Sequence, residues 1–174
     1  MIIVVVLVVV AVSIFVLCLG MLAGGLLPFA PGYGKADRYL KSNIDELDFV
    51  ADALLEFGYD QIQIRGTPMR EEEKYSMSVR NGNISETVPI PYVLLDHIKA
   101  LYKSGVDVIS CGSDFVDFSM WSSLSESRGI TYSRTGKMPD GEQLIEVIQL
   151  SRDNWYYYVH NYEKAKARNP HLFH

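Results

Sequence analysis

The best nucleophile candidate of the sequence is the thiol of Cys111, set in Ser110-Cys111-Gly112-Ser113-Asp114 where a strand gives way to a turn. A strand end is a position from which a nucleophile can reach a substrate, and His97 and His160 are the histidines available as its base. A free cysteine also packs readily as a small hydrophobe, and neither a Cys-x-x-Cys pair nor a protease-like setting surrounds this one. A serine hydrolase needs a Gly-x-Ser-x-Gly elbow; Ser113 follows a glycine, but Asp114 opens a strand instead of a helix. Neither a Gly-x-x-x-x-Gly-Lys loop nor a dinucleotide glycine pattern is present to cradle phosphate. His171 and His174 stand three apart on the tail after Pro170, without a cysteine or acidic partner held beside them. The sequence therefore calls for no cofactor and no metal.

Binding chemistry is better represented. Arg128, Arg134 and Lys137 flank one strand, the pattern of an anion-binding surface. Trp155-Tyr156-Tyr157-Tyr158, followed by Tyr162, is a run of rings that on a helix would cover about 300° of its circumference. Such a helix cannot bury them all. Trp155 and Val159 would pack inward and leave Tyr156 and Tyr157 for another surface, since exposed rings are enriched at protein interfaces and at lipid headgroup level. The contact candidates are thus Trp155, Tyr156, Tyr157, Arg128 and Arg134, and the expected cover is a protein partner, a second copy of the chain or the membrane surface. Asp117, Ser119 and Tyr132, read as polar positions on one face of a sheet, form a separate set for an enzyme.

These residues are carried behind a long apolar segment. Ile2 to Gly20 is a nineteen-residue run without charge, and the uncharged stretch continues to Gly34. At about 1.5 Å per residue it nearly spans a hydrocarbon core of about 30 Å. No basic residue precedes it and the apolar core is longer than that of a cleaved signal, so residues 1–27 read as a single membrane anchor. Pro28, Pro31, Gly32 and Gly34 make residues 28–35 a linker. Gly20 and Gly24 have the small-xxx-small spacing at which two membrane helices approach closely. Lys35, Arg38 and Lys41 follow the span, so the positive-inside rule places the folded part in the cytoplasm. The two cysteines, Cys18 inside the span and Cys111, agree with a reducing compartment.

All the charge lies after residue 34: 16 basic and 21 acidic residues, net −5. That balance argues against a nucleic-acid partner, which would want a basic face. The run Arg70–Lys74 reads as a solvated loop.

Residues 36–166 read as one α+β domain, with 167–174 as a tail. Leu40, Ile44, Leu47, Ala51 and Leu54 recur at helical spacing up to Gly58, with Asp45, Asp48, Asp52 and Glu56 as the wet flank. Gln61–Arg65 and Tyr75–Arg80 alternate, and Asn81-Gly82 signals a hairpin into Asn83–Val88. A second helix follows Pro91 and ends at Ser104-Gly105. Strands are expected at Val106–Ser110, Asp114–Ser122 and Gly129–Thr135. A last helix, capped by Asp140 with Gln143 in the capping-box position, would carry Leu144, Ile148, Trp155, Val159 and Tyr162.

The prediction is a mainly antiparallel sheet of five or six strands with three helices, in the order helix, two or three strands, helix, three strands, helix. That order is similar to that of profilin-like and roadblock-like domains, in which helices sandwich one antiparallel sheet. The function expected is a membrane-tethered, non-enzymatic interaction or ligand-sensing module. Its alternatives are a small anchored enzyme using Cys111, or an extracytoplasmic binding protein if the anchor is cleaved.

Overall fold

Alternating hydrophobicity dominates the chain beyond residue 60, and in the computed structural model it produces one antiparallel sheet. Residues 30–66, 75–141 and 143–168 are described. The expected span over residues 1–27, with Cys18, Gly20 and Gly24, lies outside them, as do Arg70–Lys74, His171 and His174. Among the described residues no helix is long and apolar enough to cross a membrane. The chain divides between Ala30 and Pro31, and the unit from Pro31 onward holds all the described helices and strands.

Four helices and eight strands occur among the described residues: α1 Tyr33–Ser42, α2 Ile44–Glu56, β1 Gln61–Gly66, β2 Tyr75–Asn81, β3 Ile84–Val88, α3 Tyr92–Ser104, β4 Val108–Cys111, β5 Phe115–Ser122, β6 Glu126–Ser133, β7 Leu144–Gln149, β8 Trp155–Asn161 and α4 Tyr162–Arg168. The strand order is β3-β2-β1-β4-β5-β6-β8-β7. Every pairing is antiparallel.

The predicted hairpin forms one residue later than expected. Asn81 pairs with Ile84, so Gly82-Asn83 make the turn. Gly82 takes a φ of 56° and Asn83 does not have a positive φ, which suits a turn with glycine at the first central position. Asp60 fixes that turn by accepting the Gly82 N–H at 2.6 Å.

The first expected helix is two helices. The chain breaks at Asn43, whose side-chain amide donates to the Tyr39 carbonyl at 2.9 Å. Helix α1 begins at Tyr33, inside the stretch read as linker, because Pro31 and Gly32 precede the first turn without interrupting it. Asp45 and Glu46 then sit in the first turn of α2, where the helix dipole favours negative charge.

The largest departure is in the last third. The helix expected from Asp140 to Lys166 is instead β7, β8 and the short α4. A helix would have left part of the aromatic run in water. A strand sends successive side chains to opposite faces, and here both faces are covered. Trp155, Tyr157 and Val159 enter the core beneath the helices, while Tyr156 and Tyr158 are buried on the other side, at 4% and 3% exposure. Ser151–Asn154 reverse the chain between the two strands, with Asn154 at a φ of 68°.

The core lies between the sheet and the helices α1, α2 and α3. Ile62, Ile64, Met77, Val79, Ile109, Cys111, Val116, Phe118 and Ile130 point into it from the sheet, against Leu40, Leu47, Leu54, Leu94 and Ile98. Two carboxylates clamp the helices to the β7–β8 turn. Asp48 of α2 accepts from Trp155 Nε1 at 3.1 Å and from Arg152 at 2.5 Å. Asp37 of α1 accepts from the Ser151 N–H at 2.9 Å and from Lys41 at 2.6 Å. Lys41 and Ser151 hold the Asp37 carboxyl down at about 2. Asp48, read as part of a wet flank, is therefore a structural residue.

Gly129 of β6 marks the tightest point of the sheet. A Cβ there would lie 2.2 Å from the Phe118 carbonyl oxygen and 2.9 Å from the Tyr158 hydroxyl. We expect Gly129→Ala to cost about 2–3 kcal/mol, because the obstacle is backbone that cannot yield. Urea unfolding of the variant checks this; an unchanged midpoint would contradict the packing described.

Candidate functional site

The face of the sheet away from the three helices is polar on one side and roofed on the other. After β6 the chain leaves at Ser133 and crosses this outer face, and the Tyr156 hydroxyl donates to the Gly136 carbonyl at 2.7 Å to hold it there. Beneath that crossing segment is a cavity of about 130 Å³ lined by Phe115, Asp117, Thr131, Pro139, Asp140, Leu144, Tyr158 and His160.

The register of three strands assembles it. Asp117 of β5 pairs with Thr131 of β6, and Phe115 with Ser133. Tyr158 of β8 stands across from Gly129, and His160 across from Ser127 and Leu144. Because Gly129 has no side chain, the Tyr158 ring lies over it, with its hydroxyl close to the glycine.

Thr131 is 1% exposed and its Oγ1 makes no hydrogen bond among the described residues; the same holds for the buried Ser133 hydroxyl beside it. A buried hydroxyl without a partner costs about 1–3 kcal/mol, so it marks a place where the fold gives up stability. Asp117 forms no ion pair among the described residues. Burial pushes its carboxyl up from the ordinary value, and the nearby Thr131 hydroxyl, favouring the carboxylate without closing a bond to it, acts the other way. Burial, and then the charge of Asp117, hold the Tyr158 phenol well above its usual range. Burial pulls His160 down, so its ring is neutral at neutral pH. The rings of Tyr158 and His160 are 4.8 Å apart. The cavity thus presents two carboxyl groups, Asp117 within and Asp140 at the exposed rim, the hydroxyls of Thr131 and Tyr158, and a neutral imidazole against the apolar Phe115, Pro139 and Leu144. Such a set can hold a small polar molecule.

The residues singled out from sequence fall elsewhere or play other parts. Trp155 and Tyr157 are core residues, at 0% and 1% exposure. Tyr156 is spent on holding the crossing segment. Arg128 pairs with Glu126 on the helix-side face. Tyr157 donates to the Pro31 carbonyl at 2.9 Å. Arg134 is exposed in the turn after β6 and does not line the cavity. The exposure expected of Tyr156 and Tyr157 followed from the helical reading and disappears with it.

Cys111 is 2% exposed within the core, and burial raises its thiol to about 12. It is on the helix face, in register with Ile62 and Val116, whereas His160 is on the outer face. The other histidine, His97 of α3, pairs with Glu46 and stacks on Phe49 at 4.2 Å. A thiol held protonated and apart from His160 lacks what nucleophilic catalysis needs. Tyr132 also leaves its expected set: it packs on Trp155 at 5.2 Å, under the helices, while Asp117 and Ser119 face outward.

Thr131, Tyr158 and His160 were not assembled from sequence. Asp117 and Ser119 were legible as one polar face of β5, but finding their neighbours required β6 and β8 to be paired in register. Among the described residues no three His, Cys, Asp or Glu side chains converge as metal ligands. A second depression, about 460 Å³, is lined by Pro31, Lys35, Arg38, Tyr39 and Ser104 among others. There the Tyr39 and Ser104 hydroxyls hydrogen-bond at 2.6 Å, and no buried polar group of the described lining is left without a partner. No family model, curated protein or solved structure matches the chain.

His160 makes a pH prediction. A folded pKa below the free value of about 6.5 means that the unfolded chain binds the proton more readily. This group's contribution to stability is present above that pH and is lost as the pH falls through it toward the folded value. Asp117, raised by burial, acts in the opposite sense at lower pH. We expect His160→Gln to lose less stability than the native chain between about pH 7.5 and 5.5, measured by urea unfolding at each pH. Parallel pH profiles would show that the ring is not held neutral.

Proposed function

We propose that this chain is a membrane-tethered, non-enzymatic ligand-sensing module whose ligand site is the cavity under the segment that crosses the outer face. The observation that carries the reading is the unpartnered Thr131 hydroxyl, facing a carboxyl group that has no cation among the described residues. A protein that buries polar groups without partners spends stability on them, and a site awaiting a ligand is where such spending recurs. The tether is the uncharged run after Met1, with the folded unit on the cytoplasmic side according to the basic residues Lys35, Arg38 and Lys41.

Strand β8 supplies a path for sensing. Tyr158 faces the cavity, and its neighbour Tyr157 points to the opposite face and holds the Pro31 carbonyl, where the folded unit begins. A ligand that repositions Tyr158 acts on the strand that grips the chain at its departure toward the span. A protein partner or a second copy, the other occupant expected from sequence, would find the open sheet edge at β3, where Ile84–Thr87 are exposed.

Thr131→Val tests the ligand site. It replaces an orphaned hydroxyl by a methyl of the same shape, so it should raise the stability of the ligand-free protein by about 1 kcal/mol or more. A loss of stability in urea unfolding would mean that the hydroxyl is already satisfied, and the reading would fall. The tether is tested with a tag after His174. Full-length protein should stay with membranes through alkaline carbonate, and the tag should be digested only after permeabilisation. Release by carbonate would remove the tether; digestion in intact cells would reverse its orientation.

A further inference from the structure

We propose that the ligand of this cavity is a small organic cation, a primary ammonium on a short alkyl group; this rests on the cavity being a ligand site. The polar half of the lining contains two carboxyl groups, Asp117 within and Asp140 at the exposed rim, and among the described residues no Lys or Arg lines it. Two carboxylates without a counter-charge repel an anion and attract a cation, the more strongly because Asp117 is half-buried. A metal ion fits poorly. Calcium and magnesium require six or more oxygen ligands, and among the described residues no three ligating side chains converge.

An ammonium head is matched group for group. It has three N–H donors and no acceptor, and the cavity offers the Asp117 carboxylate, the Thr131 hydroxyl and the Tyr158 hydroxyl as acceptors. Among the described residues the Thr131 hydroxyl has no hydrogen-bond partner to give up. The rings of Phe115 and Tyr158 can present their negative faces to the same charge. His160, neutral and without a positive charge to oppose it, closes the polar side.

The rest of the lining sets the tail. Phe115, Pro139 and Leu144 are apolar, so the ligand is amphipathic, with its charge toward Asp117 and its alkyl part toward the roof. Size limits it. A cavity of about 150 Å³ accommodates benzene, so about 130 Å³ admits a ligand of about five or six non-hydrogen atoms. A bulky quaternary ammonium would have no N–H to give and would not fit beneath the roof.

The test uses full-length protein in detergent micelles at matched ionic strength, with n-butylammonium chloride as probe. Its neutral and anionic counterparts, 1-butanol and butanoate, serve as comparisons, and thermal unfolding is followed by near-ultraviolet circular dichroism. Butylammonium should raise the midpoint in a saturable way, as expected of a ligand that binds only the folded state. The other two should not. Asp117→Asn should weaken the binding about tenfold or more, the scale of a lost charge-assisted hydrogen bond. Asp140→Asn, at the exposed rim, should weaken it several-fold while leaving the fold intact.

Equal effects of all three probes, or binding unchanged in both Asp variants, would overturn the cation while the ligand site stands. If no probe binds, the cation proposal falls. Thr131→Val then decides the broader reading, which survives only if that variant is stabilised.

Discussion

Strand β8 must be covered on both faces, and the rest of the unit is arranged around that requirement. It carries Trp155, Tyr157 and Val159 toward one side and Tyr156 and Tyr158 toward the other, all nearly inaccessible. Each large ring is worth on the order of 3 kcal/mol when removed from water, so neither side can be left open. Helices α1 and α2 form one cover, held by Asp37 and Asp48 to the turn that precedes the strand. The segment after β6 forms the other. The two covers differ in kind: the first is packed hydrophobic core, the second a single layer of chain over a partly polar floor.

That difference explains why polar strain collects on the outer face. A strand pairing with mixed alternation, such as Asp117 and Ser119 on β5, is suited to a face in contact with water. Roofing such a face buries Thr131 and Ser133 without supplying partners for their hydroxyls. An apolar floor of the same shape would be more stable, since a buried polar group costs free energy unless it is bonded. Sequences that break a local rule in this way do so most often where function asks for it.

How much of this was legible follows from the period of each segment. The β2–β3 hairpin and helix α3 could be read because glycine and proline punctuate clean patterns. The α1–α2 break was missed because Leu40, Ile44 and Leu47 keep helical spacing across Asn43. Strands β7 and β8 were missed because Leu144, Ile148, Trp155, Val159 and Tyr162 also satisfy a helical period. The β-branched and aromatic residues between them, bounded by Ser151–Asn154, are the signal of a strand buried on both faces, and such a run is ambiguous by periodicity alone. The sheet is consequently larger than predicted, and its outer face is roofed by a loop instead of a helix. Of the site, Asp117 was legible as a polar position. Thr131, Tyr158 and His160 join it only through pairing between β5, β6 and β8, which no local pattern encodes.

The two covers also differ in how firmly they are held. Opening the helix layer would expose the core and break the clamps at Asp37 and Asp48, at a cost close to unfolding. The crossing segment is attached at its ends: Arg134 donates its N–H to the Asp114 carbonyl, Tyr156 holds Gly136, and Leu144 donates to Gly141. Between them, Lys137, Met138 and Asp140 are exposed. Local openings are drawn from elements with few buried contacts, and these exposed residues contrast with the buried rings of β8 beneath them. Tyr158 lines the cavity beneath that segment. Tyr157, the next residue on the same strand, faces the other way and holds Pro31. The alternation that forced the double cover therefore also places the outer-face cavity and the contact with the start of the folded unit on opposite sides of one strand, at successive residues.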